Sequence, residues 1–187
     1  MLEDLSAHVL DIAENSVRAG GTEVRITVEE NIAANTLLFS VEDNGCGMTE
    51  EFIAKVTDPF TTTRTTRRVG MGLPFLKQSA ELCGGMFEIK SKVGVGTKTT
   101  ATFAYDSVDR PPLGDMPATV MTLVMGSPNI HWIYEHKTDT GSFTLDLDEI
   151  VQALDGDREL LQTADVGLWL KEHVKEGLDE AGWSGKG

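Results

Sequence analysis

Four groups of polar and glycine residues in this sequence could do chemistry, and the first is a carboxylate and an amide one helical turn apart. Asp11 and Asn15 lie in a segment with helical periodicity, so both side chains project from one face. A carboxylate in this place can accept a proton from water or from a hydroxyl group. The amide oxygen of Asn15 can complete the shell of Mg²⁺, which prefers oxygen ligands. Taken alone, an aspartate and an asparagine on one helix face are more typical of its solvated side.

The second group, DNGCGM at residues 43–48, directly follows a segment with the pattern of a β-strand. Glycine adopts positive φ readily and lets a ligand approach the backbone closely. A carboxylate held in such a turn, here Asp43, can accept a hydrogen bond from the exocyclic amine of a purine. The same residues are also consistent with a tight turn that binds nothing.

The third group is a loop at residues 58–72, which is rich in threonine and arginine and ends in the sequence GMG at the start of a helix. Backbone N–H groups at a helix N-terminus favour phosphate. Arginines such as Arg64 add charge-assisted hydrogen bonds to phosphate oxygens. The fourth group, GVGT at residues 94–97, precedes a strand and by itself indicates a hairpin turn.

The hydrophobic pattern predicts the helices and strands that must position these groups. Strands that follow each other directly in sequence are expected to be antiparallel. We therefore predict an α+β fold, a two-layer α/β sandwich with a mixed, mainly antiparallel sheet and helices on one face. The predicted order is helix, two strands, helix, loop, helix and two strands, at residues 5–19, 22–28, 37–42, 49–56, 58–72, 73–82, 86–91 and 98–104.

A segment that contains prolines and a glycine, residues 106–117, predicts a boundary in the chain. Residues 1–105 would form one domain, and residues 106–187 would form a C-terminal α+β extension that binds a partner. For the extension we predict a helix capped by Asp146. We also predict strands at residues 118–125, 130–136 and 142–145, and a final amphipathic helix at residues 165–181.

The charge of the chain argues against nucleic acid as a partner. The formal net charge is −14, and residues 106–187 contribute −10 of it, with 16 acidic and 6 basic residues. Phosphate contacts need clustered lysine and arginine, whereas this acidic surface can attract a basic partner. No apolar run reaches the length that spans a bilayer. Cys46 and Cys83 have no metal-binding spacing, so we expect reduced thiols in a cytoplasmic protein without membrane association.

In this order, the four groups resemble the ATP-binding superfamily that includes gyrase, Hsp90, histidine kinases and MutL. Asp11 and Asn15 are similar to its N box, and residues 43–47 are similar to its G1 box. Residues 58–64 resemble the F box and lid of many histidine kinases. Residues 70–73 and 94–97 resemble the G2 box and the closing glycine–threonine turn. The resemblance covers about residues 5–105.

The resemblance implies that ATP and Mg²⁺ are the cofactors, and it implies roles for individual residues. Asp43 would accept a hydrogen bond from the adenine amino group, Asn15 would ligate Mg²⁺, and Asp11 would be the catalytic base. The other ATP-binding residues that it implies are Arg18, Gly45, Gly47, Met48, Thr63, Arg64, Gly70, Gly72, Leu73 and Thr97.

The acid at position 11 differs from the usual residue in both main branches of the superfamily. Histidine kinases commonly carry asparagine there, whereas gyrase, MutL and the anti-sigma-factor serine kinases commonly carry glutamate. Asp11 suggests activation of water or a hydroxyl group, with a side chain one methylene shorter than glutamate. The run ENSVRAGGTEVRI at residues 14–26 is similar to MutL, whereas the lid is similar to a histidine kinase.

Three functions remain open on this evidence. The chain is either a stand-alone protein kinase or anti-sigma-type regulator that phosphorylates a serine or histidine of a separate partner, a slow ATPase that signals through its extension, or a nucleotide-sensing module without turnover. No helical hairpin with a phosphoacceptor histidine precedes the N box, so we expect the acceptor on another chain. An apolar face on the extension could also serve a homodimer.

Overall fold

The structure is a computed structural model that describes residues 4–60 and 72–185. All the helices and strands predicted in the first half are present, with ends shifted by a few residues. The elements in chain order are α1 (Leu5–Arg18), β1 (Glu23–Asn31), β2 (Thr36–Asp43), α2 (Glu50–Val56), α3 (Gly72–Leu82), β3 (Met86–Lys92), β4 (Gly96–Ala104), α4 (Met116–Gly126), β5 (His131–Lys137), β6 (Ser142–Asp146), α5 (Leu147–Ala153), a 3-10 turn (Arg158–Gln162) and α6 (Ala164–Ala181).

The strands form one six-stranded sheet in the order β3-β4-β2-β1-β5-β6. Strand β1 pairs antiparallel with β2 and parallel with β5, and the other neighbours are antiparallel. This confirms the predicted mixed, mainly antiparallel sheet. The register places Asp43, the last residue of β2, between Val24 of β1 and Thr97 of β4.

Helices lie against one face of the sheet, as predicted. In β1, Val24, Ile26 and Val28 are buried on that face, whereas the residues between them are at least partly exposed on the other. Helix α1 inserts its own apolar stripe, which includes Val9 and Ile12, into the same core. Burial of both apolar surfaces provides the main stabilisation of this arrangement.

The prediction of a strand at residues 118–125 is wrong, because these residues form α4. The alternation of β-branched residues there suggested a strand. Two features override that propensity: the Asp115 side chain accepts a hydrogen bond from the Ala118 N–H at the helix start, and Pro117 occupies the first turn, where it is tolerated. Tertiary packing of α4 against α1 and α6 then decides in favour of the helix.

The extension adds two strands to the sheet and helices to its covered face. The segment predicted as a boundary is held to the start of α1 by backbone hydrogen bonds, in which Leu5 N–H donates to Pro112 C=O and Ser6 N–H donates to Leu113 C=O, each at 2.9 Å. Core residues from both halves, including Leu5 and Met116, form one hydrophobic cluster. The helix that was predicted after its cap Asp146 is confirmed as α5.

A buried polar network joins the C-terminal ends of β1 and β5 to the segment after α6. Glu30 is 3% exposed, and its Oε1 lies 2.7 Å from Nε2 of the fully buried His136. Nδ1 of His136 lies 2.7 Å from the hydroxyl of Tyr134. The Ser184 N–H donates to both Glu30 oxygens at 3.2 Å. Burial raises the pKa of Glu30, but the hydrogen bonds from His136 and Ser184 lower it more, so the net pKa lies below the ordinary glutamate range.

We predict that Glu30→Gln lowers the free energy of unfolding by about 1–3 kcal/mol, because it leaves His136 and Ser184 with a weaker partner. Because the pKa of Glu30 is lowered by folding, its contribution is present above the unfolded-state pKa and is lost as pH falls through the folded-state pKa. Urea unfolding at neutral and acidic pH measures this effect. Glu29→Gln on the open face is the matched control and should cost less than about 1 kcal/mol. Equal stability of Glu30→Gln and the wild type at neutral pH would contradict the assignment.

Candidate nucleotide-binding site

The carboxylate of Asp43 is fixed at the junction of α1 and β2. Its Oδ2 accepts a hydrogen bond from Ser16 Oγ at 2.6 Å, and its Oδ1 accepts one from the Gly45 N–H at 2.9 Å. Ser16 follows Asn15 in α1, so the bond also sets where the N-box helix lies relative to the strand. Each carboxylate oxygen has two acceptor positions, and Asp43 therefore keeps capacity for a further donor such as an adenine amino group.

The turn after Asp43 is packed so closely against its neighbours that glycine is required. A β-carbon on Gly45 would lie 2.9 Å from the carbonyl oxygen of Ala19, and one on Gly47, whose φ is +72°, would overlap the backbone of Lys92. The Cys46 N–H donates to the same Ala19 carbonyl at 2.9 Å. The two glycines therefore fix the shape of the turn by contacts with the protein itself.

Thr97 and Ser91 support the turn from the neighbouring strands. Thr97 pairs with Asp43 across β4 and β2, and its hydroxyl lies 2.7 Å from Ser91 Oγ. Ser91 Oγ also accepts a hydrogen bond from the Met48 N–H at 2.7 Å. Through these contacts Asp43, Met48 and Thr97, all predicted site residues, are brought together.

Ser16 and Ser91 were not among the residues predicted from the sequence. Ser91 continues the partly buried series Phe87 and Ile89 of β3, so a serine at the spacing of an apolar face was the signal that could have identified it. Ser16 lies on the buried side of α1, which also carries other polar residues, so the sequence pattern did not single it out.

Asp11 and Asn15 form the second part of the site, with Arg18 and the start of α3. A β-carbon on Gly72 would lie 2.7 Å from Asp11 Oδ2, so the first residue of α3 faces this carboxylate. Burial, together with the negative charge of Glu14, raises the pKa of Asp11 above the ordinary aspartate range, although Arg18 acts in the opposite direction.

Asn15 is half-buried, and its Oδ1 accepts a hydrogen bond from Arg18 Nη1 at 3.2 Å. Leu73 is 9% exposed and packs in the core, and its role in nucleotide binding stays a prediction. The predicted residues Thr63, Arg64 and Gly70 lie outside the described residues.

The two parts of the site lie along one helix. Ser16 follows Asp11 by five positions, which corresponds to a rise of about 7.5 Å along α1. A ligand that reaches from the Asp43 carboxylate to the start of α3 must therefore be elongated, with its two ends several ångströms apart. This spacing suits a purine base at one end and phosphates at the other.

A concavity of about 530 Å³ is lined by residues of the open face of the sheet and also by Asp43. Charged side chains dominate its lining, among them Glu42 and Lys98, which form an ion pair at 3.5 Å. Neither Asp11 nor Asn15 contributes to it. It therefore adjoins the candidate site at the Asp43 end and does not extend to the end of the site at Asp11.

The sequence profile of the family "Histidine kinase-, DNA gyrase B-, and HSP90-like ATPase" matches residues 3–107. The chain belongs to this ATPase family. The match spans both parts of the candidate site, and the superfamily that the order of motifs suggested is thereby confirmed. Within residues 4–60 and 72–185, no helix combines the length and the apolar composition that crossing a membrane requires.

Relatives in this ATPase family include sensor proteins. The chain is 30% identical over 109 residues to a "Putative sensor protein" of Shewanella frigidimarina, which covers 57% of this chain and 17% of that protein. It is 38% identical over 98 residues to "Sensor protein kinase FleS" of Pseudomonas aeruginosa, which covers 52% of this chain and 24% of that protein. The chain thus spans a quarter or less of the length of these two relatives.

A solved structure with the same fold is the crystal structure of the N-terminal domain of a DNA repair protein. The TM-score is 0.53 at 12% identity, and the alignment covers 85% of this chain and 59% of that chain. The alignment covers more of this chain than residues 3–107, which the family profile matches, so part of the extension follows the same fold as well. At this identity the likeness concerns the fold alone.

We predict that Asp43→Asn lowers the affinity for ATP at least roughly 100-fold, or about 2.7 kcal/mol, because the amide removes the charged acceptor. Titration calorimetry measures the affinity. Glu42→Gln, at the neighbouring position on the open face, is the matched control and should bind ATP as the wild type does. Unchanged affinity of Asp43→Asn, with the fold intact by circular dichroism, would refute the assignment of this carboxylate to adenine.

Proposed function

We propose that the chain binds Mg-ATP and transfers its γ-phosphoryl group to a separate protein partner, as a stand-alone kinase or anti-sigma-type regulator. The observation that carries the proposal is the position of Asp11. This half-buried carboxylate faces the first residue of α3, at the opposite end of the site from Asp43. A proton acceptor is thereby held at the end of the site where the phosphates are expected.

The donor groups of the site support ATP as the ligand. Asp43 offers a fixed carboxylate to the adenine amino group, and Thr97 stands beside it as a second polar contact. The sequence GMG at residues 70–72 leads into α3, whose N-terminus favours phosphate oxygens. The relatives that are named as sensor kinases agree with a nucleotide substrate.

The chemistry of Asn15 fits a magnesium ion that is held mainly by the nucleotide. Among the described residues, no cluster of three or more histidine, cysteine, aspartate or glutamate side chains suits a metal ion. Mg²⁺ commonly takes one or two protein oxygens and completes its shell with phosphates and water. Asn15 Oδ1 is such an oxygen, and Arg18 beside it adds positive charge near the phosphates. When bound, Mg²⁺ would neutralise the charge that develops on the phosphate oxygens.

The acid at position 11 favours a hydroxyl group or water as the acceptor. A hydroxyl must lose a proton as it attacks phosphorus, whereas neutral imidazole attacks through a nitrogen lone pair that carries no proton. Burial and Glu14 raise the pKa of Asp11, which makes it a stronger base than an ordinary aspartate. We therefore favour a serine or threonine acceptor over histidine. An enzyme that uses ATP and transfers a phosphoryl group to a protein suits a cytoplasmic location.

A slow ATPase that signals through the extension is the second candidate. Helix α4 of the extension packs on α1, and Thr119 Oγ1 donates to the Ser6 carbonyl at 3.5 Å. A shift of α1 on nucleotide binding would therefore reach the extension directly. Transfer of ³²P from γ-labelled ATP to co-purifying proteins supports the kinase, whereas release of labelled phosphate without a labelled protein supports the ATPase.

For Asp11→Asn we predict retained ATP binding and a loss of turnover of about 10²–10⁴-fold, the usual contribution of a general base. Because the base must be ionised, wild-type turnover should rise with pH through the raised pKa of Asp11. Glu14→Gln is the matched variant one turn away. It should remain active and shift this rise to lower pH, because Glu14 contributes to the raised pKa of Asp11. Full activity of Asp11→Asn would remove this residue as the base.

Asn15→Ala should weaken ATP binding in the presence of Mg²⁺ by at least roughly tenfold and leave metal-free binding little changed. The reason is that the amide oxygen would ligate the metal ion and would not bind the adenine ring. Calorimetric titrations with and without Mg²⁺ give the comparison. An unaltered magnesium dependence in this variant would count against Asn15 as the ligand.

A further inference from the structure

An apolar groove opens on the surface of the extension, between α5 and the start of α6. Its volume is about 430 Å³, and the side chains of Ile150, Ala153, Leu154, Val166 and Trp169 line it. Trp169 is 50% exposed, whereas the other two tryptophans of the chain are buried. A large aromatic side chain that is half exposed to solvent beside an apolar groove is typical of a surface that binds another molecule.

Trp169 is held in place for contact with a partner. Its ring stacks on the ring of His173, with centroids 5.0 Å apart and planes 8° apart. His173 in turn meets Phe143 of β6 edge-on at 5.7 Å. An aromatic side chain that is already ordered loses little conformational freedom on binding, so it can serve as an anchor for a docked segment.

Carboxylates surround the groove. Glu149 and Asp165 belong to its lining, and Glu176 follows Trp169 by two helical turns, which places it on the same side of α6. All three are exposed, and none of them forms an ion pair with a residue in the described part of the chain. The rim of the groove is therefore acidic and not neutralised.

The basic residues of the extension lie elsewhere. In the range 106–185, none of the lysines and arginines contributes to the groove lining. The nearest in sequence to α5, Arg158, forms an ion pair with Asp148. Lys171 of α6 lies 3.9 Å from Asp115. Lys175 lines a different concavity together with Lys171, so positive charge within the groove would come from another molecule.

We propose that this groove docks a basic amphipathic helix of a partner protein, with apolar side chains between the walls of the groove and lysine or arginine side chains opposite the rim. A helix laid in an apolar groove is a common mode of peptide recognition. Anionic membranes and nucleic acids carry the same sign of charge as the rim, which disfavours them. A second copy of this chain related by two-fold symmetry would oppose the three rim carboxylates to themselves.

The inference deepens the proposed function, because it names where the partner binds and which chemistry the partner offers. It rests on the proposed function only in assuming that a partner exists. The docking step itself needs neither ATP nor Asp11. Binding can therefore be measured without nucleotide, and failure of the kinase proposal can be told from failure of the docking proposal.

The test is selection from a displayed library of helical peptides of about 15 residues. Leucine is fixed at i, i+3, i+4 and i+7, and every other position is open to lysine, glutamate, alanine or serine. The wild-type chain should enrich peptides with a net positive charge. The best peptide, synthesised and titrated, should change the fluorescence of the exposed Trp169. Its affinity should fall at least roughly tenfold in Trp169→Ala and in the double variant Glu149→Lys/Asp165→Lys.

Leu168→Ala is the matched control, because Leu168 is also exposed on α6 and lies outside the groove lining. This variant and Asp11→Asn should bind the peptide as the wild type does. No enrichment, enrichment of neutral or acidic peptides, or full affinity in a folded Trp169→Ala variant would overturn the proposal. Dimerisation of the wild type that Trp169→Ala abolishes, measured by sedimentation, would overturn it in favour of a second copy.

Discussion

The hydrogen bond between Ser16 and Asp43 is the contact on which the geometry of the site depends. The apolar contacts that hold α1 on the sheet are not directional, and they would tolerate small shifts along the helix axis. The bond from Ser16 Oγ to Asp43 Oδ2, at 2.6 Å, removes that freedom. Because Asp11 and Asn15 are carried by the same helix, their distance from the end of β2 is then fixed as well. One short polar contact thus sets the separation between the two ends of the ligand site.

The C-terminal extension also contacts α1. Backbone N–H groups at the start of α1 donate hydrogen bonds to the carbonyls of Pro112 and Leu113 in the connector, and α4 packs against α1. Helix α4 also contacts α6, which forms one wall of the acidic groove. A continuous path of packed elements therefore joins the ligand site to the surface proposed for the partner. Such a path provides a physical route by which nucleotide binding and partner binding can influence each other.

The sequence was sufficient where a local pattern decides the structure. The alternation in residues 22–28 predicted β1, and the spacing of Asp11 and Asn15 predicted their common face of α1. It was insufficient where tertiary contacts decide. Residues 118–125 are rich in β-branched side chains, but they form a helix that is capped by Asp115 and packed against α1 and α6. The roles of Ser16 and Ser91 depend on how α1, β2 and β3 are placed relative to one another. The groove at Trp169 depends on how α5 lies beside α6. Neither arrangement is encoded in a local stretch of the sequence.

The most direct test of the central claim is a crystal structure of the chain with a non-hydrolysable ATP analogue and Mn²⁺ in place of Mg²⁺. The account predicts the adenine amino group within hydrogen-bonding distance of the Asp43 carboxylate, which should keep its bond from Ser16. It also predicts an anomalous manganese peak beside Asn15 Oδ1 and the terminal phosphate near Asp11. A nucleotide bound on the open face of the sheet, or bound with its base away from Asp43, would contradict the account.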